Sequence, residues 1–361
     1  YNAGKFLNEG DNNVFLGTQA GYYTNSGQDN IAIGYQTLFN NTTGNYNIAL
    51  GKGAMKSGTT TGGCNIFMGY YAGASGITSG SDNTFMGYYS GKYISTGNNN
   101  ILFGKKAGCC ITTGANNIGM GSCIMSSDVV TGSYNIAFGS QAGKKISSAD
   151  QNINIGYAAG ENNETGDQNI NIGFLAGSNA VATCGNIALG KNAGQGASGT
   201  FTGDRNISIG NVAGFGLTSG IRNIFMGLYA GCLTCSGSQN VVIGNYNSTT
   251  LTTGSYNVLI GACVDPPSAT GDKQFIIGCG GSWWIKGDNC FHMQPGAGIR
   301  DSTGALGSAG QYLCTTGSSV AWATVSGGGS GFSPDSQENL TAGTNAGNAK
   351  DADTCFNIFL G

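Results

Sequence analysis

The sequence predicts an all-β chain, a parallel β-solenoid (β-roll) of 17–18-residue coils, on three observations. A glycine recurs at positions 17, 34, 51, 69, 87, 104, 121, 139, 156, 173, 190, 210, 227, 244, 261 and 278, in steps of 17 or 18 with a single step of 20. Four residues before it stands an asparagine in 15 of the 16 copies, and Gln274 in the last. Between the two lie a pair of apolar columns two residues apart, as in Gln28-Asp29-Asn30-Ile31-Ala32-Ile33-Gly34. A fixed period of this length is the mark of a stacked repeat, each unit closing one coil on its neighbours.

The elements follow in chain order. The asparagines are Asn13, Asn30, Asn47, Asn65, Asn83, Asn100, Asn117, Asn135, Asn152, Asn169, Asn186, Asn206, Asn223, Asn240 and Asn257. A carboxamide carries donors and an acceptor on one group, so a column of them can bond the coil above and the coil below as a ladder. The apolar columns come next, for example Ile31, Ile48, Ile153 and Ile170, then Leu16, Ile33, Met68 and Ile209. A spacing of two puts both on one face of a short strand, and that face is expected to form the core. The central glycine ends the strand at a corner that favours positive φ or a close backbone approach. A second glycine follows four residues later in 10 copies, such as Gly21, Gly73 and Gly160, and a Ser/Thr-Gly turn closes most coils.

The position between the two apolar columns should point the other way. It holds Phe15, Phe67, Phe85, Leu102 and Phe225, softening to Gly119, Asn154, Asn171 and Ser208 in mid-chain. A face so often apolar is expected to be covered, by a partner chain or by a second internal layer of the same chain. The partner chain is the favoured expectation, which makes Phe15, Phe67, Phe85, Leu102 and Phe225 candidate interchain contacts.

The pattern divides the chain into a repeat array at 1–279, an irregular segment at 280–336 with Trp283, Trp284, Trp322 and a Gly/Ser-rich linker, and a resumed repeat at 337–361. Asn339-Leu340-Thr341-Ala342-Gly343 and Asn357-Ile358-Phe359-Leu360-Gly361 repeat at 18. Both ends fall at one phase: Gly361 is a central glycine and Tyr1-Asn2-Ala3-Gly4 is what should follow one. The natural protein is therefore expected to continue past both, head to tail.

Composition excludes several classes. Gly is 66 of 361 residues and Pro only 4, charged residues are 9% and the net charge is -3. No basic excess exists to release counterions from nucleic acid, no apolar run reaches the ~20 residues of a membrane helix, and the Gly-Pro pattern of collagen is missing. A single histidine, His292, removes most catalytic triads, so the chain reads as non-catalytic, with no catalytic, cofactor or metal residues. Asp11, Asp150, Asp167, Asp204 and Asp272 share a column, but Gly63, Ala115 and Ile221 interrupt it, unlike a regular calcium roll. The 12 cysteines follow no single column and leave disulfides open. Sequons at Asn40, Asn41, Asn163 and Asn247 fall between strands, where glycans could sit.

The Asn-Ile-x-Ile-Gly segment is similar to the head repeats of trimeric autotransporter adhesins, although those carry Ser where this chain has Asn. The array, with the Gly310-Gln311-Tyr312-Leu313 to Val320-Ala321-Trp322 stretch, resembles repetitive phage and giant-virus fibre proteins that precede an endosialidase-type chaperone. The resemblance covers Gly10 to about Gly278 and Asn339 onward. It implies a homotrimeric structural fibre, a shaft on a virion or cell surface and therefore extracellular, with self as partner. The alternative is an adhesin whose loop tyrosines, Tyr22-Tyr23, Tyr70-Tyr71 and Tyr88-Tyr89, contact host-surface glycans.

Overall fold

The computed structural model describes residues 1–280 apart from 57–59, 76–78, 128 and 198–200; beyond 280 it describes 282–287, 293–295, 303, 305, 306, 311–315, 320–324, 333–334, 340–342 and 358–360. His292 and the Gly/Ser-rich linker lie outside the described residues. The chain divides into two units, Tyr1–Gln294 and Pro295–Gly361.

The first unit is a parallel β-solenoid. Sixteen short strands, from Val14–Leu16 to Phe275–Cys279, pair in sequence order, each parallel to the next. The register is one coil throughout: Ile31 lies on Ile48, Ala32 on Ala49, Ile33 on Leu50. The 20-residue step leaves that register intact, with Ile187 on Ile207 and Leu189 on Ile209, so the extra residues are absorbed outside the strand. At ~4.8 Å per strand the stack rises about 75 Å.

Parallel stacking stops at Cys279. Strand Ser282–Gly287 turns back antiparallel on Phe275–Cys279, with a bulge between Ile277 and Gly278. Trp283 packs against the last apolar cluster, and Lys286 Nζ sits 4.4 Å from the Trp283 ring centroid. An open sheet edge invites further strands, and here the chain covers its own. In the second unit Gln311–Thr315 pairs antiparallel with Val320–Thr324, and Trp322 Nε1 donates to Ala305 O at 3.1 Å. The resumed repeat pairs Leu340–Ala342 parallel with Ile358–Leu360 in one-coil register.

The strand faces are the reverse of the sequence expectation. The residue between the two Ile columns points inward: Phe67, Phe85, Leu102 and Phe225 are fully buried and Phe15 packs half-buried on the same core. Phe67 and Phe85 stack at 5.1 Å. The two Ile/Leu/Met columns point outward. The candidate interchain contacts Phe67, Phe85, Leu102, Phe225 and Phe15 are therefore core residues of their own chain. A period of two fixes which residues share a face but not which face is inside.

Volume is what fixes the inside. Across the coil from the mid-strand residue stands the position four after the central glycine. Where the strand carries Phe85, that position is Gly91, and a Cβ there would overlap the Phe85 ring. Where it is Leu38, Met55 or Met125, the mid-strand residue shrinks to Ala32, Ala49 or Gly119. These three large residues accept φ of 48°, 49° and 40° to fill the space, a left-handed conformation uncommon for side chains of that size. The core is thus filled by a large–small pair in most coils, at interior packing density.

Candidate functional site

The coil is built around the asparagine column. From Asn30 to Asn257, and on to Gln274, each backbone N–H donates to the amide oxygen of the preceding coil at 2.7–3.1 Å. Each side-chain Nδ2 also donates to a carbonyl of the following coil. Asn83 Nδ2 reaches Gly97 O at 2.8 Å and Asn65 Oδ1 at 3.1 Å. One amide thus ties three coils, which an aspartate, lacking the N–H donors, could not do. The asparagines are buried apart from Asn13 at the first coil, which is half-buried.

A second ladder stands two residues earlier. Ser133 N donates to Asp150 Oδ1 (2.6 Å), Asp150 N to Asp167 Oδ1 (2.8 Å), Cys184 N to Asp204 Oδ1 (2.8 Å) and Ser255 N to Asp272 Oδ1 (2.7 Å). Asn45, Asn98, Ser81 and Ser238 accept in the same way in other coils. The Asp column is therefore one of several acceptors for a backbone N–H, and the requirement for an acceptor, not for a charge, explains why Ser and Asn alternate with it. Among the described residues no group of three His, Cys, Asp or Glu side chains is placed to hold a metal.

The outward strand face is the molecule's largest continuous apolar feature. Its two columns run along the sheet, apolar at every position but Thr84, with Leu16 65% exposed, Ile33 39% and Met120 49%. Val14, Met86, Ile101, Ile118, Ile172, Met226 and Ile243 are exposed beside them. A strip about 75 Å long and about 10 Å wide presents on the order of 750 Å², more than the largest apolar patch on a typical monomer.

The corner after the central glycine carries aromatic and lysine ranks. Tyr70 stacks on Tyr88 at 5.3 Å, Tyr22 on Phe39 at 5.0 Å, Phe6 on Tyr23 at 5.0 Å and Tyr157 on Phe174 at 5.3 Å. Lys52 lies 5.7 Å from the Tyr35 ring and 5.8 Å from that of Tyr70. Lys92 Nζ donates to the Tyr93 hydroxyl at 2.9 Å, which together with burial acting the other way leaves its pKa raised. The candidate glycan-binding tyrosines thus stack along these ranks, each such stack covering one ring face that a sugar could use, while Tyr23, Tyr70 and Tyr88 stay partly exposed.

Three of the four sequons are closed. Asn41, Asn163 and Asn247 are fully buried; Asn41 Nδ2 donates to Gly44 O at 2.8 Å and Asn163 Nδ2 to Gly166 O at 2.8 Å. These amides cap turns and cannot accept a glycan in the folded coil. Asn40 is half-buried. No disulfide joins the nine cysteines whose side chains are described. Cys109 and Cys110 place their sulfurs 3.1 Å apart, and that contact with Cys110, followed by burial, raises the Cys109 thiol well above its usual range. Lys144 pairs with Glu161 at 3.2 Å. An open groove of about 540 Å³ lies beside Ser127, Val129, Lys145, Ser147 and Glu164, where the Ser127 and Ser147 hydroxyls donate to the backbone carbonyls of Ile146 and Glu164.

No family model, no curated protein and no solved structure matches the chain. The site must be read from its own geometry, which offers a long apolar sheet face and no reactive constellation among the described residues.

Proposed function

We propose that this chain is a structural rod, a shaft segment of an extracellular or virion fibre, and that it works by assembling laterally with copies of itself through the outward Ile-x-Ile face. The carrying observation is that face: two strand-regular columns, apolar at every position but Thr84, left open along sixteen coils. Burying about 750 Å² on each of two copies reaches the size of a standard stable interface. A trimer, which the family resemblance suggests, would turn three such faces toward a common axis. The partner surface is then the one the sequence assigned to the core, and the phenylalanine column plays no part in it.

Stiffness follows from the ladders, since each coil is tied to the next by backbone, amide and carboxylate bonds. The adhesin alternative is weaker because the tyrosine rings already stack on one another. Mass in solution tests the proposal. The wild-type chain is expected to form a defined multimer, and Ile118→Lys with Met120→Lys to dissociate it without loss of β structure. A wild-type chain that stays monomeric at micromolar concentration refutes it.

A further inference from the structure

Charge is sorted across the apolar face. All sixteen strands run the same way, so every strand start lies on one rim of the face and every strand end on the other. In residues 1–191 the two positions just before the asparagine hold five aspartates and no Lys or Arg. The two positions just after the central glycine hold four lysines and no Asp or Glu. The strand-start rim is acidic and the strand-end rim basic.

Three of the five aspartates are also matched in height by a lysine. Asp29 belongs to the second coil and Lys52 to the third; Asp82 to the fifth and Lys105 to the sixth; Asp167 to the tenth and Lys191 to the eleventh. In all three pairs the lysine stands one coil beyond the aspartate. One coil is ~4.8 Å, within reach of a lysine side chain. Within one chain the partners are separated by the strand's whole width, on the order of 15–20 Å, so they cannot pair there. Lys52, Lys105 and Lys191 are exposed or open to solvent and make no ion pair in the chain; the one ion pair among the described residues is Lys144–Glu161.

We propose that the second copy lies on this face in the same direction and at the same height, with Lys52, Lys105 and Lys191 of each chain pairing with Asp29, Asp82 and Asp167 of its neighbour. This rests on the lateral-assembly reading above and adds the orientation. Rotation about the rod axis brings the strand-end rim of one copy to the strand-start rim of the next, whether the ring has two or three members. An inverted copy brings acid to acid and lysine to lysine. Apolar burial drives either arrangement equally; opposed charges select the first and like charges penalise the second. The sorting ends after residue 191, where Arg205, Arg222 and Lys273 enter the strand-start side, so selection acts in the first eleven coils.

The experiment mixes nitrogen-15-labelled and unlabelled full chain, treats the multimer with a zero-length carbodiimide, and maps the joined peptides by mass spectrometry. Mixed-isotope links Asp29–Lys52, Asp82–Lys105 and Asp167–Lys191 are expected. Links between early and late coils, or a multimer without these links, overturn the orientation and leave lateral assembly standing. A monomer overturns both. As a second readout, combining Lys52→Glu, Lys105→Glu and Lys191→Glu is expected to raise the dissociation constant about tenfold at low salt. In the smaller set Lys52→Glu with Lys105→Glu, adding Asp29→Lys and Asp82→Lys, whose carboxylates accept no ladder bond, should restore it; failure of that charge swap to restore assembly also refutes the proposal.

Discussion

Two stretches of the solenoid share a backbone and differ in what fills it. In the fourth to sixth coils the interior is Phe67, Phe85 and Leu102, in one apolar cluster that extends from Ala20 to Ala149. In the ninth and tenth coils the same position is Asn154 and Asn171, 0% and 2% exposed. Ser208 follows two coils later. A separate apolar cluster takes up from Ala180 to Ile276. Yet the ladder distances hardly change: Asn83 N to Asn65 Oδ1 is 3.0 Å, and Asn169 N to Asn152 Oδ1 is 2.9 Å. The coil is therefore specified by its glycine corner and its asparagine column, and the interior need only match the volume left to it.

The polar stretch is incompletely satisfied. Asn171 Nδ2 donates to Asn154 Oδ1 at 2.9 Å, but Asn154 Nδ2, Thr183 Oγ1 and Ser208 Oγ are buried without a partner. A cavity of about 10 Å³ borders Asn171, Thr183 and Ser208. Each orphaned polar atom costs about 1–3 kcal/mol, so this is a weak point of the stack.

The comparison can be broken most severely at a shared element. Gly227 has φ +131°, and a Cβ there would lie 2.5 Å from Gly244 O in the next coil. Gly227→Ala is expected to cost more than about 4 kcal/mol, seen as loss of the denaturation transition or its displacement to much lower denaturant. A small effect would mean the corner, contrary to the argument, does not specify the coil. Next in size is Phe85→Ala, which empties a core position facing Gly91 and should cost about 3–5 kcal/mol by urea unfolding. Ala substitution at Asn154 should cost under about 1 kcal/mol, because it removes an orphaned donor while freeing another at Asn171.

The ladder should be indifferent to this contrast. Asn117→Ala leaves Asn135 N and Nδ2 without their acceptor and Gly132 O without its donor. A cost of about 2–3 kcal/mol is expected, and the same at Asn152 in the polar stretch, whose Oδ1 likewise accepts from Asn169 N and Nδ2 and whose Nδ2 donates to Gly166 O. Unequal losses at the two sites would show that interior filling strengthens the ladder locally.

How much of this was legible in the residues follows from the same contrast. The solenoid, its period and its register stood in the Gly and Asn columns, because backbone corners and buried amides each tolerate few residue types. The inside face did not. Ile31, Ala32 and Ile33 read equally well with either face inward, since both faces are apolar in many coils. The decisive signal is in the sequence but not in the strand: small Ala32, Ala49 and Gly119 face Leu38, Met55 and Met125, while Phe67 and Phe85 face Gly73 and Gly91. Only residues on opposite walls of one interior need to compensate in volume. The Asp column was open for a related reason, because an acceptor of a backbone N–H and a metal ligand draw on the same side chains; its interruption by Gly63, Ala115 and Ile221 argued against the metal.

The most discriminating expected effect is a modest one, because its sign is at stake. Leu102 occupies the mid-strand position opposite Gly108, and Asn154 and Asn171 occupy it opposite Gly160 and Gly177. A leucine is thus already accommodated by this geometry. Asn154→Leu with Asn171→Leu removes an orphaned Nδ2, adds apolar burial and fills the gap between the two clusters. Replacing both partners of a buried polar pair with apolar groups is often neutral or stabilising, whereas replacing one is not. The double variant should gain about 1–2 kcal/mol, and native-state hydrogen exchange at Ile155 and Ile172 should slow accordingly. A loss of stability in the double variant would mean that the Asn154–Asn171 bond is worth more than the atoms it leaves unpaired, and that the polar stretch is a second ladder, not a weak point.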